Sequence, residues 1–126
     1  MSLRTPLNRV LGLGSAKDGT DHFWGQRVSG IALAMLGFWF AVSMACMPGF
    51  SHAEAIAFIG DPLNGVLLSL LVVTIGYHSY LGVQMVIEDY VHSHGLKLGS
   101  LILMRFAHIL LAVAGIYGIL KIGLGA

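Results

Sequence analysis

Two stretches of this 126-residue chain, Val28–Ala53 and Pro62–Ile87, run for 26 residues each without a charged side chain. A third apolar stretch is interrupted once, where Arg105 separates Leu98–Met104 from Phe106–Leu120. A helix needs roughly 20 mainly apolar residues to cross a bilayer at about 1.5 Å rise per residue. Inside hydrocarbon every backbone polar group must be paired within the protein, so such runs become helices or strands of a closed barrel. Barrel strands alternate over about ten residues, whereas these runs are continuous. The pattern predicts an all-α integral membrane protein with three transmembrane helices, at about 29–50, 63–90 and 98–122.

Composition agrees with that reading. Hydrophobic residues make up 56% of the chain and charged residues 10%, too little charge to cover a soluble domain. The same balance excludes disorder, which needs low hydrophobicity and high net charge. A net charge of +1 supplies no basic field for nucleic acid. The single cysteine, Cys46, rules out an intrachain disulfide, a CxxC metal site and a cysteine-ligated iron–sulfur cluster.

The first apolar run starts near residue 28, later than the apolar core of a secretory signal peptide. Residues 1–27 are read as an amphipathic or irregular cytoplasmic leader on the membrane surface, and 28–126 as a three-helix transmembrane anchor. Orientation follows Lys and Arg. The leader carries Arg4, Arg9, Lys17 and Arg27, and the second loop Lys97, with Arg105 two turns on. The first loop holds only Glu54 and Asp61, and the C-terminal end only Lys121. The expectation is N-terminus inside and C-terminus outside. Pro48-Gly49 is expected to end the first helix, Asp61 to cap the second with Pro62 at its first position, and Gly95 to break the chain before the third.

GLGSAKDG at 12–19 lacks the third glycine of a dinucleotide loop and follows no strand, so it reads as a surface turn. His78 lies midway along the second predicted helix, roughly 16 Å from its inner end. An ionisable group at that depth is expensive and is a functional candidate. Two readings stand: a neutral imidazole bonded to a neighbouring helix, or an axial ligand to haem iron, with Gly82 one turn on leaving room for a macrocycle. His108 competes for the ligand role on depth. Asp89 and Tyr90, at the inner boundary, are either interfacial residues or the donor and its neighbour at a quinone pocket. Arg27, with His22 five residues before it, is either a snorkelling anchor or a partner for a buried anion such as a haem propionate. Arg105 admits the same pair of readings. His92 and His94 have no third ligand nearby and read as solvated loop histidines.

The stretch HSYLGVQMVIEDYVH, 78–92, resembles the second-helix signature of the hydrophobic membrane anchors of succinate dehydrogenase (succinate:quinone oxidoreductase, respiratory complex II). The leader RTPLNRVLGLGSAKDGTDHFWGQRVSG, 4–30, is similar to the alphaproteobacterial form. The resemblance implies a bacterial inner-membrane location and an enzyme subunit that is not catalytic alone. It implies that His78 is an axial ligand of haem b, shared with a second anchor, the cytochrome b subunit. It implies that Tyr90 hydrogen-bonds ubiquinone, the substrate, with Asp89 beside it. Arg27 then matches the arginine near the haem propionates, with His22 in the same region. The implied partners are the cytochrome b subunit, an iron–sulfur subunit, a flavoprotein subunit and membrane lipid. The competing readings are a fumarate reductase anchor working in the reverse direction and a non-redox membrane assembly or packing protein.

Overall fold

A computed structural model describes the backbone of residues 18–125 and the side chains of 21–125. Among the described residues there are four helices: α1 Asp18–Ala45, α2 His52–Gly60, α3 Pro62–Tyr90 and α4 His94–Gly123. There is no strand among the described residues. Three of the helices, α1, α3 and α4, are long and apolar enough to cross a membrane. The all-α reading with three spans therefore holds, and α3 and α4 match the expected second and third helices within a few residues.

The first helix differs. It begins at Asp18 and ends at Ala45, where the apolar run had predicted about 29–50. Residues 18–27, assigned to the leader, are helical and continuous with the span. Charge at Asp21 and Arg27 marks where the apolar stretch stops, but nothing there breaks the hydrogen-bond ladder. The remainder of the leader, including Arg4, Arg9, Lys17 and most of GLGSAKDG, lies outside the described residues. At the other end the ladder tightens, with Met47 N–H donating to Met44 C=O at 3.3 Å. It stops before Pro48, whose ring pushes the preceding residue out of helical conformation.

The first loop also contains a helix that apolar patterning did not reveal. Ser51 caps α2 through a reciprocal pair: Glu54 N–H donates to Ser51 Oγ at 3.3 Å, and Ser51 N–H donates to Glu54 Oε2 at 2.8 Å. The Ser51 hydroxyl donates to the same carboxylate oxygen at 2.7 Å. These bonds hold the Glu54 carboxyl below its ordinary value of 4.5. A Cβ at position 49 would sit 2.7 Å from Glu54 Oε2, so the close approach of the carboxylate requires Gly49. One turn on, Phe58 stacks on Trp39 of α1 with ring centres 6.2 Å apart. The expected cap of α3 is present: Asp61 Oδ1 accepts from Asn64 N–H at 3.0 Å, with Pro62 at the first position.

The helices form a row. α3 packs against α1 on one side and α4 on the other, α1 and α4 do not pack on each other, and α2 rests on α3 and α4. Only Ser29, Leu71, Leu81 and Met104 are buried among the described residues, as expected where lipid or partner helices supply the surrounding medium. Small residues set the helix spacing. A Cβ on Gly115 of α4 would lie 3.1 Å from Val72 Cγ1 on α3, and one on Gly76 would meet Ala112 at 3.8 Å.

Candidate functional site

His22, Gln26 and Ser29 recur at spacings of four and three along α1, which places them on one helix face. That face meets α3 at His78 and Gly82. Ser29 Oγ lies 3.0 Å from His78 Nδ1, and Gln26 Nε2 lies 3.4 Å from His78 Nε2, a long and weak contact. A Cβ on Gly82 would approach Gln26 Nε2 at 3.7 Å, an ordinary contact distance, so the glycine faces this seam beside His78. His78 is twelve residues from the end of α3 at Tyr90, a rise of roughly 18 Å.

Beside this contact is a cavity of about 630 Å³ whose walls include His22, Phe23, Gln26, Gly82, Met85 and Glu88. Two polar atoms at this seam, His22 Nε2 and Gln26 Oε1, are buried without a hydrogen-bond partner among the described residues. Buried polar groups in native proteins are overwhelmingly paired, because an unpaired one costs its full desolvation. The seam between α1 and α3 is therefore chemically incomplete as the described residues stand.

The second histidine at comparable depth is differently placed. His108 Nδ1 donates to the Met104 carbonyl at 2.8 Å, and its Nε2 faces Ser79 Oγ at 3.1 Å. Both nitrogens are engaged, and the ring packs edge-on against Tyr80 with centres 6.1 Å apart. Arg105, one turn before it, donates to the Tyr80 hydroxyl from Nη2 at 2.7 Å and from Nε at 3.2 Å.

Arg27 and His22 are not brought together. Five residues on a helix turn through about 140° relative to one face, so His22 points to the cavity while Arg27 is exposed. The Arg27 guanidinium lies 4.4 Å from the centre of the Phe23 ring. Asp89 and Tyr90 are exposed at the end of α3, Tyr90 at 78%. Their neighbour Glu88 accepts from Gln84 Nε2 at 2.7 Å, and its carbonyl accepts from Lys97 Nζ at 2.7 Å. This leaves the Tyr90 ring presented outward beside an anchored helix end. His92 and His94 are exposed, with His92 Nδ1 donating to the Tyr90 carbonyl at 3.0 Å. No group of three or more His, Cys, Asp or Glu able to hold a metal ion exists among the described residues.

Sequence reading missed Ser29, Gln26 and the Tyr80–Arg105 pair. The i, i+4, i+7 spacing of His22, Gln26 and Ser29 was visible, but nothing in one helix states which face meets His78. The Ser51-x-x-Glu54 capping signature was in plain sight in the first loop.

Comparison with known proteins identifies the kin of this chain. The family of succinate dehydrogenase/fumarate reductase transmembrane subunits matches residues 1–120. A succinate dehydrogenase hydrophobic membrane anchor subunit of Paracoccus denitrificans is 32% identical over 122 residues, covering 97% of this chain and 94% of its own length. The same-named subunit of Rickettsia typhi is 35% identical over 105 residues, covering 83% and 84%. That of Rickettsia prowazekii is 32% identical over 108 residues, covering 86% of each chain. A match along nearly the whole length, in a protein built as a row of three membrane-length helices, places the chain in the succinate dehydrogenase/fumarate reductase transmembrane subunit family.

Proposed function

We propose that this chain is a hydrophobic anchor subunit of a succinate:ubiquinone oxidoreductase in the bacterial inner membrane, holding a haem b through His78 and presenting Tyr90 to ubiquinone. The observation that carries the reading is the unequal state of the two deep histidines. His108 has both nitrogens engaged, whereas His78 has one firm bond and a second nitrogen held only by a 3.4 Å contact. The surroundings of His78 fit a haem edge. Gly82 lines the adjoining cavity of about 630 Å³, which carries two polar atoms that lack partners among the described residues.

In this reading His78 Nε2 is the ligand and Gln26 is the side chain that gives way to the group. A haem bound there supplies a one-electron carrier in a low-dielectric interior. His22, which lines the cavity, and Arg27, exposed above Phe23, would offer a hydrogen bond and a positive charge to the propionates. Tyr90 donates its phenolic hydrogen to a quinone oxygen, and Asp89 orients that hydroxyl. With Cys46 as its only cysteine, the chain holds no cluster of its own. Electrons therefore come from an iron–sulfur subunit, fed in turn by a flavoprotein subunit, and the haem and quinone sites are completed by the cytochrome b subunit. The excess of Lys and Arg in the leader and second loop supports N-terminus inside and C-terminus outside.

The test is the absorbance of the purified complex. His78→Ala should abolish or strongly perturb the low-spin b-type spectrum and His108→Ala should leave it intact; dependence on His108 alone would overturn the assignment. A periplasm-active reporter fused at Ala126 should give signal and one at Gly95 none, and the reverse would overturn the orientation together with the inner-face quinone site.

A further inference from the structure

Imidazole has two nitrogens, and the one free to face an iron is decided by the bond the other makes. Ser29, at 6% exposure, is the only buried polar side chain among the described residues. Its Oγ lies 2.7 Å from the Gly25 carbonyl one turn back and 3.0 Å from His78 Nδ1. A hydroxyl carries one proton and two lone pairs. The proton goes to α1's own backbone, to Gly25 or to the Gln26 carbonyl at 3.1 Å. The lone pairs are left to accept from His78 Nδ1–H. A hydroxyl that is already donating is a stronger acceptor, because hydrogen bonds in a chain polarise one another.

We infer that Ser29 is a positioning residue for His78: it fixes the Nδ1–H tautomer, aims Nε2 into the seam, and draws on the Nδ1 proton so that Nε2 becomes a stronger electron donor. Gly30 keeps the ring close, since a Cβ there would already touch His78 Cε1 at 3.4 Å. The inference rests on His78 being the haem ligand. It adds a specific consequence: a more electron-rich imidazole favours ferric over ferrous iron and keeps the haem potential low.

The test uses the assembled complex, normalised to flavin content, carrying Ser29→Ala, Ser29→Thr or Ser29→Cys. The readouts are a potentiometric titration of the haem absorbance and the low-spin resonance of the ferric state. Ser29→Ala should raise the midpoint potential and weaken haem retention by about tenfold or more, the usual effect of removing such an outer partner. A tenfold loss confined to the ferric state corresponds to about 59 mV for a one-electron couple. Ser29→Thr keeps the hydroxyl and should restore both values. A Ser29→Ala complex with wild-type potential and resonance overturns the inference. If that variant does not assemble, Ser29→Cys, whose sulfur accepts only weakly, must shift the potential in the same direction, and an unchanged potential overturns it. His78→Ala measured in parallel separates the two levels. Retention of the haem spectrum there sinks the ligand assignment and the inference with it. Loss of the spectrum with a silent Ser29→Ala sinks only the role of Ser29.

Discussion

The two seams of α3 each contain a histidine at similar depth, yet they are built on different terms. On the α4 side Gly115 admits Val72 and Gly76 faces Ala112, and although a cavity of about 380 Å³ lies beside Tyr80, Arg105 and His108, both nitrogens of His108 are spoken for. On the α1 side one nitrogen of His78 is fixed by Ser29, and His22 Nε2 and Gln26 Oε1 are left without described partners beside a cavity. Depth in the membrane therefore selects both histidines as candidates, and only the destination of the second nitrogen separates a structural imidazole from one available to a ligand.

Overpacking the α3–α4 seam at its tightest glycine should give the largest effect on stability. Gly115→Leu drives a side chain into Val72, 3.1 Å from where its Cβ would begin, and should cost about 1–3 kcal/mol. The melting temperature of the complex measures the loss, while the haem spectrum per assembled complex should stay constant. A collapsed spectrum at unchanged stability would mean that the α3–α4 seam, and not α1–α3, holds the haem. Next in size is Tyr90→Phe, which removes a donor and keeps the ring. Loss of one hydrogen bond to an oxygen that gains charge during reduction should slow quinone reduction about tenfold, or roughly 1.4 kcal/mol. Reduction of a dye by the soluble subunits should be unaffected. Tyr80→Phe, whose hydroxyl serves Arg105 on the α4 side, should leave quinone reduction near normal; equal damage from both would erase the distinction between them. The smallest effect lies outside both seams. The bonds that lower the Glu54 carboxyl stabilise α2 fully above its ordinary value of 4.5, and this contribution is lost as pH falls through the lowered one. Helicity should fray slightly below that point in the parent and be insensitive to acid in Glu54→Gln; identical titrations would show that the cap adds nothing.

The spans were legible because the bilayer imposes a length and an apolarity that a charge map exposes directly. The cap at Asp61-Pro62 was legible for an equally local reason. The start of α1 was not, since a helix can run on past the charges that end its apolar stretch, as residues 18–27 do. At the site, His78 was legible from depth and Gly82 from spacing. Ser29 and Gln26 were not, because their role depends on which face of α1 turns toward α3, a tertiary fact. Arg27 and His22 read as neighbours along the chain, yet the helix sends them to different sides.

The row of helices is fastened unequally at its two ends. Where α3 begins, α2 rests on α3 and α4, and Phe58 reaches across to Trp39 of α1, so all three spans are tied within one turn or two. Toward the other end α3 is bonded to each neighbour separately, by Lys97 and Arg105 on the α4 side and by Ser29 on the α1 side, but among the described residues no element spans all three, and α1 and α4 meet only through the helix between them. Local opening should therefore be graded along the helix axes, cheapest at the end that carries Tyr90. Amide exchange would read this as protection falling from Pro62 toward Tyr90 within one continuous helix.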